Sequence, residues 1–166
     1  MIVDHVWRPA FRVVVYGRPA PQGSKRHVGG GVMIESSRAV KPWRDDVKTA
    51  AEDAIAALPG RGLFPLDGPL VGRFVFTLPK PASAPKRRRT WPMRTPDLSK
   101  LLRSTEDALT AAGVWRDDAR LVDLDRLAKV YPGEDREALD RPGAVIEIRT
   151  LDEDPERDTT GTGGTR

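Results

Sequence analysis

Three carboxylates flank the most regular helical pattern of this sequence, where they could hold a metal ion. Asp97 precedes the pattern, and Asp117 and Asp118 follow it. Mg²⁺ prefers oxygen ligands, takes one or two carboxylates from a protein, and completes its coordination with water and substrate phosphate. The bound ion activates water and offsets charge on a phosphoryl transition state. The acids therefore predict metal-assisted chemistry on a phosphate ester.

The same acids also suit ordinary structural roles. Aspartate is strongly favoured as an N-cap, so Asp97 is predicted to begin a helix, and Asp117-Asp118 fits a polar turn before a strand. A helix of about 15 residues separates the two groups by about 22 Å. Asp97 and Asp118 meet only if residues 113–118 fold back, or if the strand from Leu121 places them together. Spacing alone leaves these alternatives open.

The composition excludes several other kinds of site. The sequence has no cysteine, which excludes disulfides, thiolate metal sites and cysteine nucleophiles. It has two histidines, His5 and His27, so a His-rich metal site or a Ser-His-Asp triad has little to draw on. Gly29-Gly30-Gly31 lacks the spacing of a dinucleotide-binding loop, and Gly23-Ser24-Lys25 does not match a phosphate-binding P-loop. We therefore expect no nucleotide cofactor.

Basic residues are concentrated in one stretch that includes the first of these acids. Between Lys80 and Arg103 there are eight basic residues and one acid. The basic residues are Lys80, Lys86, Arg87, Arg88, Arg89, Arg94, Lys100 and Arg103. Such a stripe suits a polyanion, because each neutralised phosphate releases condensed counterions. A solvated, proline-rich loop would have a similar composition, so charge alone indicates nucleic acid without proving it.

The spacing of apolar residues predicts a mixed order of strands and helices. The clearest helix follows Asp97, with its apolar residues on about a third of the circumference and Gly113 as the expected stop. The predicted elements are strands at 11–16, 70–78, 121–130 and 144–149, a small hairpin at 28–34, and helices at 42–58 and 98–112. We therefore expect an α/β (α+β) fold with a small mixed sheet of about four to five strands and two main helices.

The chain is expected to form one domain, at residues 1–150, followed by a tail. Its 166 residues fall in the range that a single core organises. Residues 151–166 contain five acidic and two basic residues and end in glycine and threonine, so they are expected to be disordered. No run approaches the roughly 18 apolar residues of a membrane span, and the first residues lack the features of a signal peptide. We therefore expect a cytoplasmic protein without a membrane segment.

Three short stretches, in this order, resemble the RusA family of Holliday junction resolvases. They are Pro96-Asp97-Leu98-Ser99-Lys100 with the residues up to Arg103, then Asp107-Ala108-Leu109-Thr110, then Trp115-Arg116-Asp117-Asp118 leading into Leu121-Val122. They match the family's Asp-Leu-Asp-Lys/Asn helix start, its Asp-Ala-Leu-Thr helix middle and its aromatic-x-Asp-Asp turn into a strand. The resemblance implies a small α/β homodimer that binds four-way DNA junctions and cuts them with Mg²⁺ held by aspartates, in recombination or repair.

The resemblance also assigns roles to single residues. It implies that Asp97 and Asp118 hold Mg²⁺ and that Arg103 stands where the family has a lysine. Ser99 departs from the family, which has a second aspartate there, and a serine hydroxyl is a neutral and weaker ligand. The candidate replacements for this acid are Asp107, Asp117 and Asp123. Ser99 therefore favours a second interpretation, a junction-binding protein with weak or no nuclease activity.

The leading hypothesis is a metal-dependent endodeoxyribonuclease with distinct catalytic and DNA-binding residues. Asp97 and Asp118 position Mg²⁺ against the scissile phosphate, and Lys100 or Arg103 stabilises the added charge. The predicted DNA-binding residues are Lys25, Arg26, Arg87, Arg88, Arg89 and Lys129. A third interpretation, a single-strand or RNA-binding module, needs stacking platforms. Aromatic residues make up 6% of the chain and Trp91 alone lies in the basic stripe, so we rank this interpretation last.

Overall fold

The computed structural model describes residues 9–23, 25–27, 33–35, 38–59 and 61–151. Within these ranges, six strands and two main helices follow one another, with short 3₁₀ turns at Arg61–Leu63 and Asp118–Arg120. The elements are β1 (Phe11–Tyr16), β2 (Lys25–His27), β3 (Met33–Glu35), α1 (Val40–Ala57), β4 (Leu70–Thr77), α2 (Leu98–Ala112), β5 (Leu121–Val130) and β6 (Gly143–Thr150).

Four of the strands form one mixed sheet in the order β1-β6-β4-β5. β6 is antiparallel to both of its neighbours, β1 and β4, whereas β4 and β5 are parallel. Parallel neighbours need a crossover connection, and here α2 provides it. β2 and β3 form a separate two-stranded antiparallel ladder. The crossover brings the start of α2 close to the end of β4, where the basic stripe begins.

Both helices pack on one face of the sheet and enclose the core. Trp43 of α1, Phe74 and Phe76 of β4, Leu101 of α2 and Ile146 of β6 are all fully buried in this layer. Alternating side chains of β4 face the helices, as expected for a strand with one face on the core. The packing fixes α2 against the sheet and thereby fixes the face of α2 that remains in solvent.

A buried hydrogen bond links the two helices within the core. The Trp43 indole Nε1 donates to Thr105 Oγ1 at 3.1 Å, and Thr105 Oγ1 donates to the Leu101 carbonyl oxygen at 2.8 Å. Thr105 is fully buried, so its hydroxyl satisfies a donor and an acceptor that water cannot reach. This polar contact sets the position of α2 along α1.

The sequence predictions of the fold are confirmed by the structure. The α+β class, the mixed sheet and the two helices are as expected, and β1 and β5 have the predicted bounds. The sheet has four strands because the two strands of the predicted hairpin pair with each other in a separate ladder. These two strands lie on either side of residues 28–32. The predicted tail lies outside the described residues from 152 onward. No helix in the described ranges is long and apolar enough to cross a membrane.

Candidate active site

Asp97 stands at the N-cap position of α2, but its side chain is not used as a cap. Its backbone is extended, its carbonyl accepts from Leu101 N at 3.0 Å, and its carboxylate makes no capping hydrogen bond. The side chain is 56% exposed, and its nearest cation is the Lys100 ammonium, at 3.6 Å from Oδ2. The position predicted for Asp97 is therefore confirmed, whereas the capping bond is absent. Both carboxylate oxygens are left accessible.

Lys129 holds the segment that leads into Asp97. Its ammonium donates to the carbonyl oxygens of Arg94 and Pro96, both at 2.8 Å. Lys129 lies on edge strand β5, opposite Phe76 of the parallel strand β4. Strand alternation therefore aims Lys129 at the start of α2. Its ammonium is engaged by backbone oxygens, which is a positioning role.

The chain folds back after α2 because an aromatic side chain is anchored to the last turn of the helix. Gly113 ends α2 with a left-handed backbone, φ 77°, which glycine adopts without a steric cost. Trp115 is then buried, and its indole Nε1 donates to Thr110 Oγ1 at 2.7 Å. Leu66 fixes the same turn, because its N–H donates to the Val114 carbonyl at 2.9 Å. These contacts direct the residues after Gly113 back towards α2.

The two aspartates after Trp115 have different roles. Asp117 caps the 3₁₀ turn, since its Oδ1 accepts from Ala119 N at 2.7 Å. Asp118 faces α2, where its Oδ2 accepts from Arg103 Nη1 at 3.0 Å. The capping bond explains why the second of two adjacent acids, and not the first, is directed at the helix.

Arg103 holds one of the two predicted metal ligands, Asp118, against α2. It lies six residues after Asp97, which is an axial offset of about 9 Å along the helix. Because the Arg103 guanidinium also approaches Asp107, Asp118 lies beside the middle of α2 rather than beyond its end. Lys100 is on the same face, one turn before Arg103. Asp97 thus pairs with Lys100, and Asp118 pairs with Arg103 on the following turn of α2.

Two further acids surround Arg103, and sequence reasoning missed one of them. Asp107 accepts from Arg44 Nη2 at 2.5 Å and lies 3.7 Å from Arg103 Nε. Glu106 is half-buried nearby, and its burial, reinforced by the charge of Asp118, raises the pKa of its carboxyl. Glu106 is one residue before the Asp-Ala-Leu-Thr stretch, and only its place on the polar side of the helix could have marked it.

The three acids proposed to replace the absent aspartate at Ser99 lie apart from one another. Asp107 is held by two arginines, and Asp117 is used as a cap. Asp123 is exposed on β5, where its Oδ1 accepts from the backbone N–H of Leu124 at 2.8 Å. Of the three, Asp107 is nearest to Arg103.

The donor set of this face fits a metal ion that takes few protein ligands. Asp97 offers two accessible oxygens, and Asp118 offers Oδ1 beyond the oxygen that Arg103 engages. Two carboxylates with water and substrate phosphate are a common Mg²⁺ environment. Within the described ranges, no group of three or more His, Cys, Asp or Glu side chains could hold a metal. The residues therefore fit a site completed by the substrate rather than a closed protein cage.

The basic loop between β4 and α2 is attached to the turn after β5. Lys80 pairs with Glu134, and this hydrogen bond holds the pKa of the Glu134 carboxyl below its usual range. Arg89 Nη2 donates to Asp135 Oδ2 at 3.0 Å, and its guanidinium lies 3.9 Å from the centre of the Trp91 ring. Asp135 also pairs with Arg126, which holds its pKa well below the usual range. These contacts fix the loop near its start and at its middle.

The tip of this loop carries the remaining arginines into solvent. Arg87 and Arg88 are exposed, and in the described part of the chain neither makes an ion pair. Arg89, by contrast, is neutralised by Asp135. Of the three loop arginines predicted to bind DNA, Arg87 and Arg88 have no ion pair within the described residues, whereas Arg89 holds the loop.

A second basic element begins beside the same face of α2. Gln22 N donates to the Lys100 carbonyl oxygen at 2.9 Å, and Ser104 Oγ donates to the Ala20 carbonyl oxygen at 2.6 Å. The chain runs from Gln22 into β2, which contains Lys25 and Arg26. Their backbones pair with Glu35 and Ile34, while their side chains lie outside the described residues. The segment that leads into β2 is therefore hydrogen-bonded to α2 at Lys100.

One family model matches this chain over most of its length. The family is described as endodeoxyribonuclease RusA, and the match covers residues 16–149. The matched range includes the strands β2 to β5, both main helices, the basic loop, the turn with Asp118, and β6 except its last residue. No curated protein matches the chain.

Proposed function

Because the chain belongs to the RusA endodeoxyribonuclease family, we propose that it is a Mg²⁺-dependent resolvase of four-way DNA junctions. The family supports nuclease activity of the Holliday junction resolvase type, with dependence on a divalent metal. The observation that carries our residue assignment is the 3.0 Å contact between Arg103 and Asp118. It brings an acid from beyond the helix back to α2, one turn after the contact of Lys100 with Asp97.

We assign Asp97 and Asp118 as the residues that would hold Mg²⁺. The ion, when bound, supplies Lewis acidity for the activation of water and offsets negative charge on the phosphate. Asp97 is free of a capping bond and accessible, and Asp118 keeps one oxygen outside its contact with Arg103. These two side chains would also place the scissile phosphate over the exposed face of α2.

The two cations of this face would bind the phosphate itself. Lys100 carries a mobile ammonium, 47% exposed, which can donate to a phosphate oxygen. Arg103 is permanently charged and presents a planar fork that matches phosphate geometry, but it cannot serve as a proton donor. Its contacts with Asp118 and Asp107 orient the fork before DNA arrives. Both residues would stabilise charge that develops in the transition state.

The remaining basic residues would act on the flanking DNA. Arg87 and Arg88 project from the loop, and Lys25 and Arg26 belong to the ladder that follows the segment hydrogen-bonded at Lys100. Two basic segments thus adjoin α2, one before β2 and one after β4, and both would contact the DNA around the scissile phosphate. We propose that Arg89 and Lys129 support this surface by fixing the loop. Junction affinity should fall steeply with salt, because phosphate contacts release counterions.

We further propose that the active form is a homodimer. A four-way junction has pairs of equivalent strands, and a two-fold dimer presents two identical sites to them. A dimer would therefore cut symmetrically placed phosphates in one binding event.

A junction-binding protein with weak nuclease activity is the second candidate. It is favoured by Ser99, which stands in place of a family aspartate, and by the lack of a three-acid metal cluster in the described ranges. A metal site with one fewer charge would require a higher Mg²⁺ concentration for the same occupancy.

Labelled four-way junctions distinguish the two candidates. We expect the wild-type protein with Mg²⁺ to shift the junction in a gel and to nick it, and Asp118→Asn or Asp97→Asn to shift it without nicking. Asp53→Asn, which removes an exposed acid of α1, is the matched control and should nick like the wild type. A shift without nicking by the wild type at any Mg²⁺ concentration would favour the second candidate. Nicking by Asp118→Asn at the wild-type rate would contradict the assignment of this residue.

A further inference from the structure

A cleft of about 400 Å³ opens next to the proposed active site. Residues 92–96 of the basic loop form one wall, and Arg18 with Pro19 contributes to the lining from the loop after β1. Tyr131, which is 9% exposed, contributes a largely buried ring. We call this cavity the proline cleft, because five prolines are among its lining residues. Its volume lies at the lower end of the range of small-molecule sites.

The proline cleft adjoins the backbone that carries Asp97. Pro96 lines the cleft and is followed directly by Asp97. Consecutive Cα atoms are about 3.8 Å apart across a trans peptide bond. Lys129 holds the carbonyl oxygens of both Arg94 and Pro96, so this wall and Asp97 are fixed by one side chain. A ligand in the cleft would therefore contact Pro96, the residue directly before Asp97.

The walls of the proline cleft suit a flat, largely apolar group. Proline rings and the Tyr131 ring present rigid surfaces on which a nucleobase can stack, and stacking of this kind tolerates any base. Proline also fixes φ, so little conformational entropy is lost when these walls receive a ligand. The volume is sufficient for a single nucleotide and too small for a duplex.

Two unpaired arginines add charge at the rim. Arg18 and Arg94 are exposed, and in the described ranges neither makes an ion pair. Lys80 also lines the cleft, but its ammonium is engaged by Glu134 and by the Pro85 carbonyl oxygen at 2.6 Å. A guanidinium can stack on a base and can also donate to the phosphate attached to it.

We propose that the proline cleft binds one unpaired nucleotide of the DNA, next to the scissile phosphate. This inference rests on the proposed function and extends it to the base that the enzyme contacts. A base is least costly to unstack where pairing is already interrupted, and the crossover of a four-way junction is such a place. The cleft would thereby position the cleavage site relative to the crossover.

Fluorescence of 2-aminopurine tests the proposal in the absence of divalent cation, so that the DNA is not cut. The cleavage position is first mapped with Mg²⁺, and 2-aminopurine is then placed at the nucleotide next to it or several base pairs away. We expect a change in fluorescence at saturating wild-type protein for the first position only. Arg94→Gln and Arg18→Gln, which alter two different lining segments, should each reduce this change by about twofold or more, because they remove a stacking partner of the base.

Lys86→Gln is the matched control, because Lys86 is exposed in the same loop and does not line the cleft. It should weaken junction binding through its lost charge and leave the fluorescence change at saturation intact. If the protein binds a junction that it is known to cut and the fluorescence does not change, the proposed nucleotide binding in the cleft is contradicted. The resolvase proposal is unaffected by that result. An equal reduction by Lys86→Gln would also contradict nucleotide binding in the cleft. A wild-type protein that neither binds nor cuts junctions would contradict the proposed function itself.

Discussion

Replacing Lys129 with methionine separates a positioning role from a DNA-binding role. Lys129 is positively charged like the other residues predicted to bind DNA, yet its ammonium donates to the backbone carbonyls of Arg94 and Pro96, just before Asp97 in the chain. Methionine has similar length and no charge, so it removes both hydrogen bonds and keeps most of the packing. The substitution is expected to loosen residues 94–96 and thereby displace Asp97.

The magnitude follows from the two hydrogen bonds, both 2.8 Å long. A hydrogen bond to a charged group contributes about 1.5–3 kcal/mol when buried. Lys129 is only partly buried, and water can replace part of each bond in the variant. We therefore expect Lys129→Met to lower the free energy of unfolding by about 1–3 kcal/mol. Urea denaturation at neutral pH measures this difference.

The salt dependence of junction binding decides between the two roles. A lysine that neutralises a phosphate contributes about 0.9 to the slope of log K against log salt. We expect Lys129→Met to leave this slope unchanged while nicking falls, and Arg88→Gln to reduce the slope while the free energy of unfolding stays the same. A Lys129→Met variant of wild-type stability, with a slope reduced like that of Arg88→Gln, would refute the positioning role.

Three further predictions concern the scaffold. Thr105→Val leaves the Trp43 indole N–H buried without an acceptor and should cost about 1–3 kcal/mol in urea denaturation; an unchanged midpoint would contradict it. Gly143→Ala places a Cβ against the Val15 carbonyl oxygen, so it should disrupt the pairing of β1 with β6 and lower the melting temperature; a wild-type value would contradict the close approach. Because the pKa of Asp135 is lowered in the folded state, its stabilisation is complete above the unfolded pKa of about 3.9 and declines as pH falls below it. The stability difference between wild type and Asp135→Asn should therefore shrink as pH falls from about 5 towards 2, whereas a constant difference would argue against this ion pair.

Periodicity was sufficient for most of the fold, because the buried faces are continuous and their ends are marked. β5 begins and ends where its pattern does, and Gly113 ends α2 with the left-handed backbone that a helix stop predicts. The hairpin was located by its glycine run, but its strands lie outside that run, at Lys25–His27 and Met33–Glu35. Which strands are neighbours in the sheet depends on the crossover, and local patterns do not contain that information.

The geometry of the site was less predictable because it depends on contacts between distant segments. Nothing in the spacing of Asp97 and Asp118 shows that Trp115 reaches back to Thr110 and returns the chain along α2. The hydrogen bonds of Lys129 to backbone carbonyls cannot be read from the sequence either. There, the positive charge of Lys129 indicates a residue that binds phosphate. Residue types therefore indicate a kind of chemistry, and tertiary contacts determine which of the candidate residues lie next to one another.

A double-mutant cycle on metal binding tests most directly whether Asp97 and Asp118 act on one ion. Mn²⁺, which has similar ligand preferences to Mg²⁺, is titrated into the junction-bound protein and followed by electron paramagnetic resonance for the wild type, Asp97→Asn, Asp118→Asn and the double variant. If the two side chains share an ion, either single change should abolish most of the tight binding, and the double variant should lose little more. Losses that simply add, or a single variant that retains wild-type affinity, would show that the two aspartates do not form one site.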